Sequence, residues 1–349
     1  MPEAPRHIRR LTTPALHVIL SVTMDIDAQR KIAAILRVLA EADKPLGSTK
    51  IARELRQRGI DLQGRMVRYY LESMDAQEFT ENLGRPGRRI TDRGREEMET
   101  AVAIDRVGFV SARVDELAFK LTFDMATRAG TVILNFSTVP AGANTRARKF
   151  IKSVLDAGLG MGRYIAIAKP GEKLAGLALP PGRIGYGTVC SVTLNGVLKN
   201  EGIPTTSRFG GLLEMRNHEP YRFTQIINYD GTTIDPIEIF IKGRMTSVCK
   251  AVETGTGTIG ASFREIPAAA LPRARQAIEK LKLLGLNGVL IIGLPGQSIL
   301  DVPISQGRVG LIIAAGLNPI AAVEESGILT ENHAMAELYE FNRLVPADD

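Results

Sequence analysis

Apolar positions recur at helical spacing three times between residues 26 and 78, and two strand-like segments follow around a tight turn. The inner faces of the three predicted helices carry Ile32, Ile35, Leu36 and Leu39, then Ile51 and Leu55, then Met66, Tyr70, Leu71 and Met74. Residues 79–83 and Ile90 predict two short strands, joined by a turn that contains Gly84, Pro86 and Gly87. Three helices and then a hairpin are the order of a winged helix, which we assign to residues 25–100.

The polar side of the third helix and the tip of the hairpin carry the side chains that we expect to touch DNA. In a helix-turn-helix the third helix enters the major groove with its N-terminal residues at base edges, and a hairpin rich in arginine suits a phosphate backbone. Ser48 is also the expected N-cap of the second helix. The candidate DNA-binding residues are Ser48, Lys50, Gln63, Arg65, Arg68, Tyr69, Arg85, Arg88 and Arg89. A solvated turn is the alternative for the hairpin arginines.

Charge and composition are consistent with a nucleic-acid partner. Residues 44–95 hold twelve Lys/Arg against seven Asp/Glu, a balance of +5, within a 349-residue chain of net charge +6. Cys190 and Cys249 are the only cysteines, which argues against a disulfide framework and favours a cytoplasmic protein. The four histidines show no metal-ligand spacing. We expect residues 1–24 to be a flexible extension, or translation to start at Met24.

Beyond residue 105 the sequence repeats itself at domain size. Residues 130–203 align with residues 257–328, at an offset of 127 that becomes 125 after a two-residue deletion. Each copy predicts strands and helices in the same order, so the predicted fold class is α+β: a winged helix-turn-helix, then a duplicated mixed α/β effector domain with two similar lobes about an approximate two-fold axis. We assign residues 105–253 to the first copy, with an inserted segment at 216–253, and residues 254–349 to the second. The insert could bridge the lobes or form a dimer surface.

No known catalytic motif is found at the spacing that its chemistry requires. We find no nucleophile with a base, no paired carboxylates in a polar stretch and no phosphate-binding loop. The glycines of residues 255–260 have the spacing of a dinucleotide-binding GxGxxG motif. That motif follows a strand, whereas these glycines precede one, so a loop between the lobes is the favoured interpretation. We therefore expect a protein that is not an enzyme and needs no cofactor. The alternatives are a regulator or scaffold of another pathway, with a different effector or a protein partner, and a catalytic domain that uses the winged helix to read RNA or DNA.

Several segments resemble the nitrogen-regulation repressors of methanogenic archaea, the NrpR family. The winged helix resembles theirs in KPLGSTKIAREL, MVRYYLESMD and GRPGRRITDRG, and the remainder resembles their effector domain in FSTVPAG, PPGRIGYGTVCSVTLNG, DPIEIFIKGRMTSV and FREIPAAA. The resemblance covers nearly all of the chain after residue 27. It implies repression of nitrogen-assimilation promoters through an inverted-repeat operator, with 2-oxoglutarate as the effector that weakens DNA binding. A single winged helix makes few contacts, so we expect a homodimer that places two third helices on two half-sites.

A dicarboxylate effector needs cations or N–H donors, and arginine can hold a carboxylate with two hydrogen bonds. Arg183 and Arg308 occupy matched places after glycine in the two copies. The candidate effector-binding residues are Arg183, Thr188, Ser191, Asn195, Arg208, Thr246, Ser247 and Arg308. For each of them, a turn arginine or a capping polar side chain is the alternative.

Overall fold

The computed structural model describes residues 26–98, 109–174 and 176–348, and the chain divides into two units, residues 1–107 and 108–349. The predicted N-terminal extension, residues 1–24, lies outside the described residues. None of the described helices combines the length and the apolar character that crossing a membrane requires.

The first unit contains the predicted winged helix. Helices α1 (Ile26–Ala40), α2 (Ser48–Gln57) and α3 (Gly64–Ala76) precede the strands β1 (Thr80–Asn82) and β2 (Arg88–Ile90). Gly87 has φ +109°, and a Cβ atom there would collide with the backbone of Leu46. Leu46 also forms an isolated antiparallel bridge with Arg88 of β2. The buried core contains Ile32, Ile35, Leu36, Leu39, Ile51, Leu55, Val67, Tyr70, Leu71, Met74 and Ile90.

Two details of the predicted helices need correction. Gly47, rather than Ser48, is the N-cap of α2, and no side chain caps that helix end. Val67, rather than Met66, completes the inner face of α3, while Met66 is 40% exposed. The inward positions are therefore Val67, Tyr70, Leu71 and Met74, which keep the three- and four-residue spacing of an α-helix.

The second unit begins with α4 (Val110–Lys120), and the two sequence copies then repeat one order of elements. The first copy runs β3 (Thr131–Pro140), α5 (Asn144–Asp156), β4 (Tyr164–Ala168), the short strands β5 (Lys173–Leu174) and β6 (Leu177–Ala178), β7 (Arg183–Val189), α6 (Val192–Asn200) and β8 (Thr206–Arg216). The insert supplies β9 (Glu219–Asn228), α7 (Pro236–Lys242) and α8 (Val248–Thr254). The second copy runs β10 (Gly257–Pro267), α9 (Leu271–Leu283), β11 (Val289–Ile292), β12 (Arg308–Ala314), α10 (Asn318–Glu325) and β13 (Glu331–Glu340), and β14 (Val345–Pro346) follows.

The two copies exchange their last strands. One antiparallel sheet has the order β13-β3-β7-β4-β14 and the other has the order β9-β8-β10-β12-β11, so β13 of the second copy pairs with β3 of the first, and β8 of the first pairs with β10 of the second. Each sheet therefore needs both copies. The exchange is possible because a strand can complete whichever sheet edge its connection reaches.

A polar side chain at the start of a helix ties helix to strand in both copies. In the first copy Thr193 Oγ1 lies 3.1 Å from Ile133 N and 3.3 Å from Ile133 O. At the matched position of the second copy, Asn318 Oδ1 accepts from Gly260 N and Asn318 Nδ2 donates to Gly260 O, each at 2.8 Å. Asn318 Nδ2 also donates to Leu159 O at 2.8 Å, which links the second copy to the first. These bonds fix the ends of α6 and α10 that meet in the interior of the unit.

Candidate functional site

The exposed face of α3 carries the side chains that were expected to read bases. Gln63, Arg65, Arg68 and Tyr69 are all exposed, and Tyr69 is 65% exposed although it is aromatic. The helix starts beside the start of α2, since a Cβ atom added to Gly64 would lie 3.6 Å from Thr49 Cα. The predicted residues at the beginning of α2, Ser48 and Lys50, therefore adjoin the end of α3 that was expected to enter a major groove.

Ion pairs sort the basic residues of this unit into two groups. Arg56 pairs with Asp61, Arg58 with Glu41, Arg88 with Asp75, Arg89 with Glu81 and Arg93 with Glu78. Among the residues that the structure describes, Lys50, Arg65, Arg68 and Arg85 have no such partner. Unpaired cations on the face of α3 and at the tip of the wing leave positive charge where DNA phosphates would lie.

Arg88 differs from the other predicted DNA contacts because its side chain has a partner on α3. Its side chain is 14% exposed, and its Nε donates to Asp75 Oδ2 of α3 at 2.8 Å, while its backbone pairs with Leu46. This arginine links the wing to α3, so a phosphate would have to compete with Asp75 for its guanidinium. Arg89 also forms a pair, with Glu81 across the hairpin at 2.9 Å, but both of these side chains are more than half exposed.

The eight predicted effector residues do not converge on one pocket. Arg183 Nε donates to Thr138 Oγ1 at 2.7 Å, and its Nη2 lies 3.8 Å from Glu331 of the exchanged strand β13. Arg308 Nη2 donates at 2.9 Å to Thr206 Oγ1 of the other exchanged strand, β8. The two matched arginines therefore lie on different sheets, where each one secures a strand that arrives from the opposite copy.

Four more of these residues have structural partners elsewhere. Asn195 Nδ2 donates to Ser207 Oγ at 2.9 Å, and Arg208 Nη1 lies 3.6 Å from Glu265. Thr246 Oγ1 donates to Glu325 Oε1 at 2.7 Å, and Ser247 Oγ accepts from Thr258 N at 2.7 Å. The pocket beside Thr246 has a volume of about 300 Å³, and its charged lining residues are Arg244, Glu324 and Glu325. Because the two carboxylates outnumber the single arginine, this pocket is poorly suited to a dicarboxylate effector.

Ser191 and Thr188 belong to a different place, the interior of the second unit, where both copies and the insert meet. A cavity of about 20 Å³ lies there, lined on its polar side by Asn135, Ser191, Asp235, Tyr229 and Ser262. Ser191 is a lining residue, and Thr188 adjoins it through a 3.4 Å contact from Asn135 Nδ2. Val192, the first residue of α6, and residues 315–317, which directly precede α10, also line the cavity.

Sequence reasoning missed the side chain that dominates this interior, Arg264 of β10. It is fully buried, its Nη1 donates to Ser262 Oγ at 2.7 Å, and its Nη2 donates to Ser191 Oγ at 3.0 Å. Its Nε has no hydrogen-bond partner, and no carboxylate within the described residues forms an ion pair with it. The available signal was the adjacent charged pair Arg264 and Glu265 inside a strand pattern, and a charged residue that becomes buried needs a compensating partner.

Burial shifts the ionisable groups around Arg264. It lowers the pKa of the Arg264 guanidinium, and it raises the pKa of the Cys190 thiol to about 12. Burial also raises the pKa of Asp235 to about 6, although its carboxylate accepts from Ile237 N at 2.8 Å as the N-cap of α7. In each case the low-dielectric surroundings disfavour the charged form. The described residues contain no cluster of side chains that could hold a metal ion.

A winged helix with an unpaired basic face, joined to a duplicated α+β unit, defines a DNA-binding transcription regulator with a regulatory domain. The family model of the NrpR regulatory domains NRD1 and 2 matches residues 107–345, and that of the ribonuclease R winged-helix domain matches residues 33–98. The chain belongs to the NrpR family of nitrogen regulators.

Named relatives agree with this assignment. The chain is 37% identical over 321 residues to the global nitrogen regulator NrpRI of Methanosarcina mazei, covering 92% of this chain and 99% of that one. It is 31% identical to the global nitrogen regulator NrpR of Methanococcus maripaludis, whose length it covers to 54%. A crystal structure of a nitrogen repressor-like protein from Methanococcus jannaschii matches 69% of this chain and 99% of its own, with 26% identity and a TM-score of 0.59.

Proposed function

We propose that this protein represses nitrogen-assimilation genes by binding an operator through its winged helix, and that 2-oxoglutarate weakens this binding. The observation that carries the DNA-binding part is the pair of unpaired, exposed arginines on α3, Arg65 and Arg68, at the groove-facing end of a winged helix. The relatives named as global nitrogen regulators support the nitrogen part. Their names do not mention the effector, for which the family resemblance is the support.

The proposed regulation follows from thermodynamic linkage. An effector weakens DNA binding only if it binds more tightly to the arrangement of the protein that holds DNA poorly. The second unit offers an interior where both sequence copies meet around a buried arginine, so a ligand there would contact elements from both copies. A homodimer would place two copies of α3 on half-sites about one helical turn apart, and a change in their spacing would change affinity.

The DNA-binding part is tested with the full chain and the DNA upstream of its own gene, by fluorescence anisotropy. We expect Arg68→Ala to lower the preference for this DNA over an unrelated duplex by about 1 to 3 kcal/mol, the contribution of a good bidentate base contact. The matched control is Arg56→Ala, because Arg56 is also exposed but already pairs with Asp61. If both variants bind like the unchanged chain, Arg68 does not read bases.

A further inference from the structure

We propose that two copies of this chain associate through β11, with the open edges of the two strands paired antiparallel about a two-fold axis. This inference rests on the homodimer of the proposed function, and it names the surface that joins the two subunits. The strand is the last one of its sheet, whose order is β9-β8-β10-β12-β11. One side of β11 pairs with β12, and within the described residues no strand pairs with the other side.

The matched strand of the first copy shows that such an edge accepts a further strand. β4 occupies the place in its sheet that β11 occupies in the other sheet, since β4 pairs with β7 and β11 pairs with the matched strand β12. The outer edge of β4 is covered by β14, where Val345 lies opposite Ile165. At the offset of 125, Leu290 of β11 matches Ile165, and no described strand lies opposite it on that side.

The course of the chain after the exchanged strands explains this difference. After β13 the chain returns to the first sheet as β14, next to β4. After β8 the inserted segment folds back as β9, which pairs with β8 itself. The part of the first copy that would match β14 is therefore used at the opposite edge of the second sheet, and β11 is left without a covering strand.

The residues in and around β11 suit pairing with an identical strand. Residues 283–300 contain no charged side chain, and the strand itself is Val-Leu-Ile-Ile between Gly288 and Gly293. All four strand residues are half-buried, and β-branched apolar residues favour pairing. In a contact about a two-fold axis each patch meets the same patch of the partner, so a charged strand would bring like charges together. The uncharged segment around β11 avoids this repulsion.

The other open edges of the two sheets carry features that prevent such pairing. Charged side chains, bulges, prolines and very short strands keep edge strands from joining other chains. β9 has two register shifts and carries Glu219 and Arg222. β13 has a register shift and carries Glu331 and Glu340, while β14 is two residues long and ends with Pro346. β11 has a register shift but no charge, so it is the least protected of the four edges.

Exposed leucines extend the apolar surface beyond the strand itself. Pairing of two four-residue strands covers less than the roughly 800 Å² per partner that a stable dimer typically buries. Leu283 and Leu294 flank β11 in the sequence, and they are 83% and 51% exposed. We therefore expect these two leucines to pack against the partner subunit and to lose exposure in the dimer.

Sedimentation velocity of the full chain over a range of concentrations tests the contact. We expect the unchanged chain to form a particle of twice 37.9 kDa at micromolar concentration. Ile291→Lys and Leu294→Lys place like charges of the two subunits close together, so each should raise the dissociation constant of the dimer at least about tenfold. The matched control is Leu329→Lys, because Leu329 is also exposed, at 68%, but precedes β13 of the other sheet.

Each result has a defined consequence. Leu294→Lys keeps the test decisive if Ile291→Lys fails to fold, because Leu294 is already exposed. A dimer that both variants leave intact would overturn β11 as the contact, and the homodimer would then stand through another surface. Equal weakening by Leu329→Lys would also overturn it. A chain that stays monomeric at every concentration would leave this edge to a different partner, and it would overturn both this contact and the homodimer of the proposed function.

Disulfide cross-linking tests the antiparallel geometry. A two-fold axis through two paired strands makes one residue face its own copy, at a Cα–Cα distance of about 4.5 to 5.5 Å that a disulfide bridges. Leu290 and Ile291 are the central residues of β11. In a chain that carries Cys249→Ser to remove the half-buried native thiol, Leu290→Cys or Ile291→Cys should give a covalent dimer with diamide as the oxidant, and Leu329→Cys should not. A dimeric chain in which neither central cysteine forms the cross-link would overturn the antiparallel pairing.

Discussion

The ionised form of Asp235 lowers the free energy of unfolding, and the size of this effect depends on pH. Its pKa rises from an ordinary 3.8 to about 6 through burial, so between these values the folded protein binds more protons than the unfolded chain. The free energy of unfolding therefore falls as pH rises through this window. Above the window the total loss is about 3 kcal/mol.

Asp235→Asn should recover this free energy, because asparagine remains neutral and can still cap α7. We expect the free energy of unfolding to rise by up to about 3 kcal/mol at pH 7.5 and by only about 1 kcal/mol at pH 4.5. Urea unfolding of the second unit at the two pH values checks this. A gain of the same size at both values would contradict the assigned cause.

Arg88, unlike Arg68, is expected to contribute to the stability of the winged helix and not to DNA binding. Because its Nε bonds Asp75 at 2.8 Å in a half-buried position, Arg88→Met should lower the free energy of unfolding of the winged helix by about 1.5 to 3 kcal/mol. At a temperature where the variant remains folded, its DNA affinity should match that of the unchanged chain. A full loss of affinity without loss of stability would return Arg88 to the DNA-contact group.

The sequence reveals the elements more completely than it reveals their partners. Helix and strand periods are local: the apolar pattern of the second copy predicts a helix at residues 271–284 and a strand at residues 289–292, and the structure has α9 at Leu271–Leu283 and β11 at Val289–Ile292. The exchange of β8 and β13 left no local mark, because pairing across copies is a long-range choice that the alternation along a strand does not encode. Arg264 stayed hidden for a related reason: both faces of β10 are covered by protein, so inward and outward positions look alike in the sequence.

Asn318 and Thr193 occupy matched positions in the two copies, but their hydrogen bonds to the strands predict that replacing them lowers the free energy of unfolding by different amounts. Asn318→Ala removes the side-chain partner of Gly260 N and of Leu159 O, while Gly260 O keeps its bond from Ala315 N at 3.0 Å. Thr193→Val affects the backbone of one residue, Ile133. An unsatisfied buried group costs about 1 to 3 kcal/mol, so Asn318→Ala should destabilise the second unit more. Thermal unfolding of the two variants, side by side, provides the comparison. The reverse order would contradict the prediction, because it would mean that these side-chain hydrogen bonds do not set the cost of the two substitutions.

At the scale of the molecule, the strand exchange predicts that the two sequence copies unfold together. Each five-stranded sheet contains a strand from each copy, so neither copy keeps a complete sheet when the other unfolds. Differential scanning calorimetry should therefore show a single transition for residues 108–349 in the full chain, with equal calorimetric and van't Hoff enthalpies for it. Two separate transitions within this unit would mean that the copies are independent.

The most direct test of the whole account is the anisotropy of labelled DNA from upstream of the chain's own gene, titrated with the full protein at fixed salt. The account predicts binding that is tighter than to an unrelated duplex and that weakens when 2-oxoglutarate is added at saturating concentration, with succinate as the comparison ligand. Equal affinity for both duplexes, or an affinity for the upstream DNA that 2-oxoglutarate leaves unchanged, would contradict it.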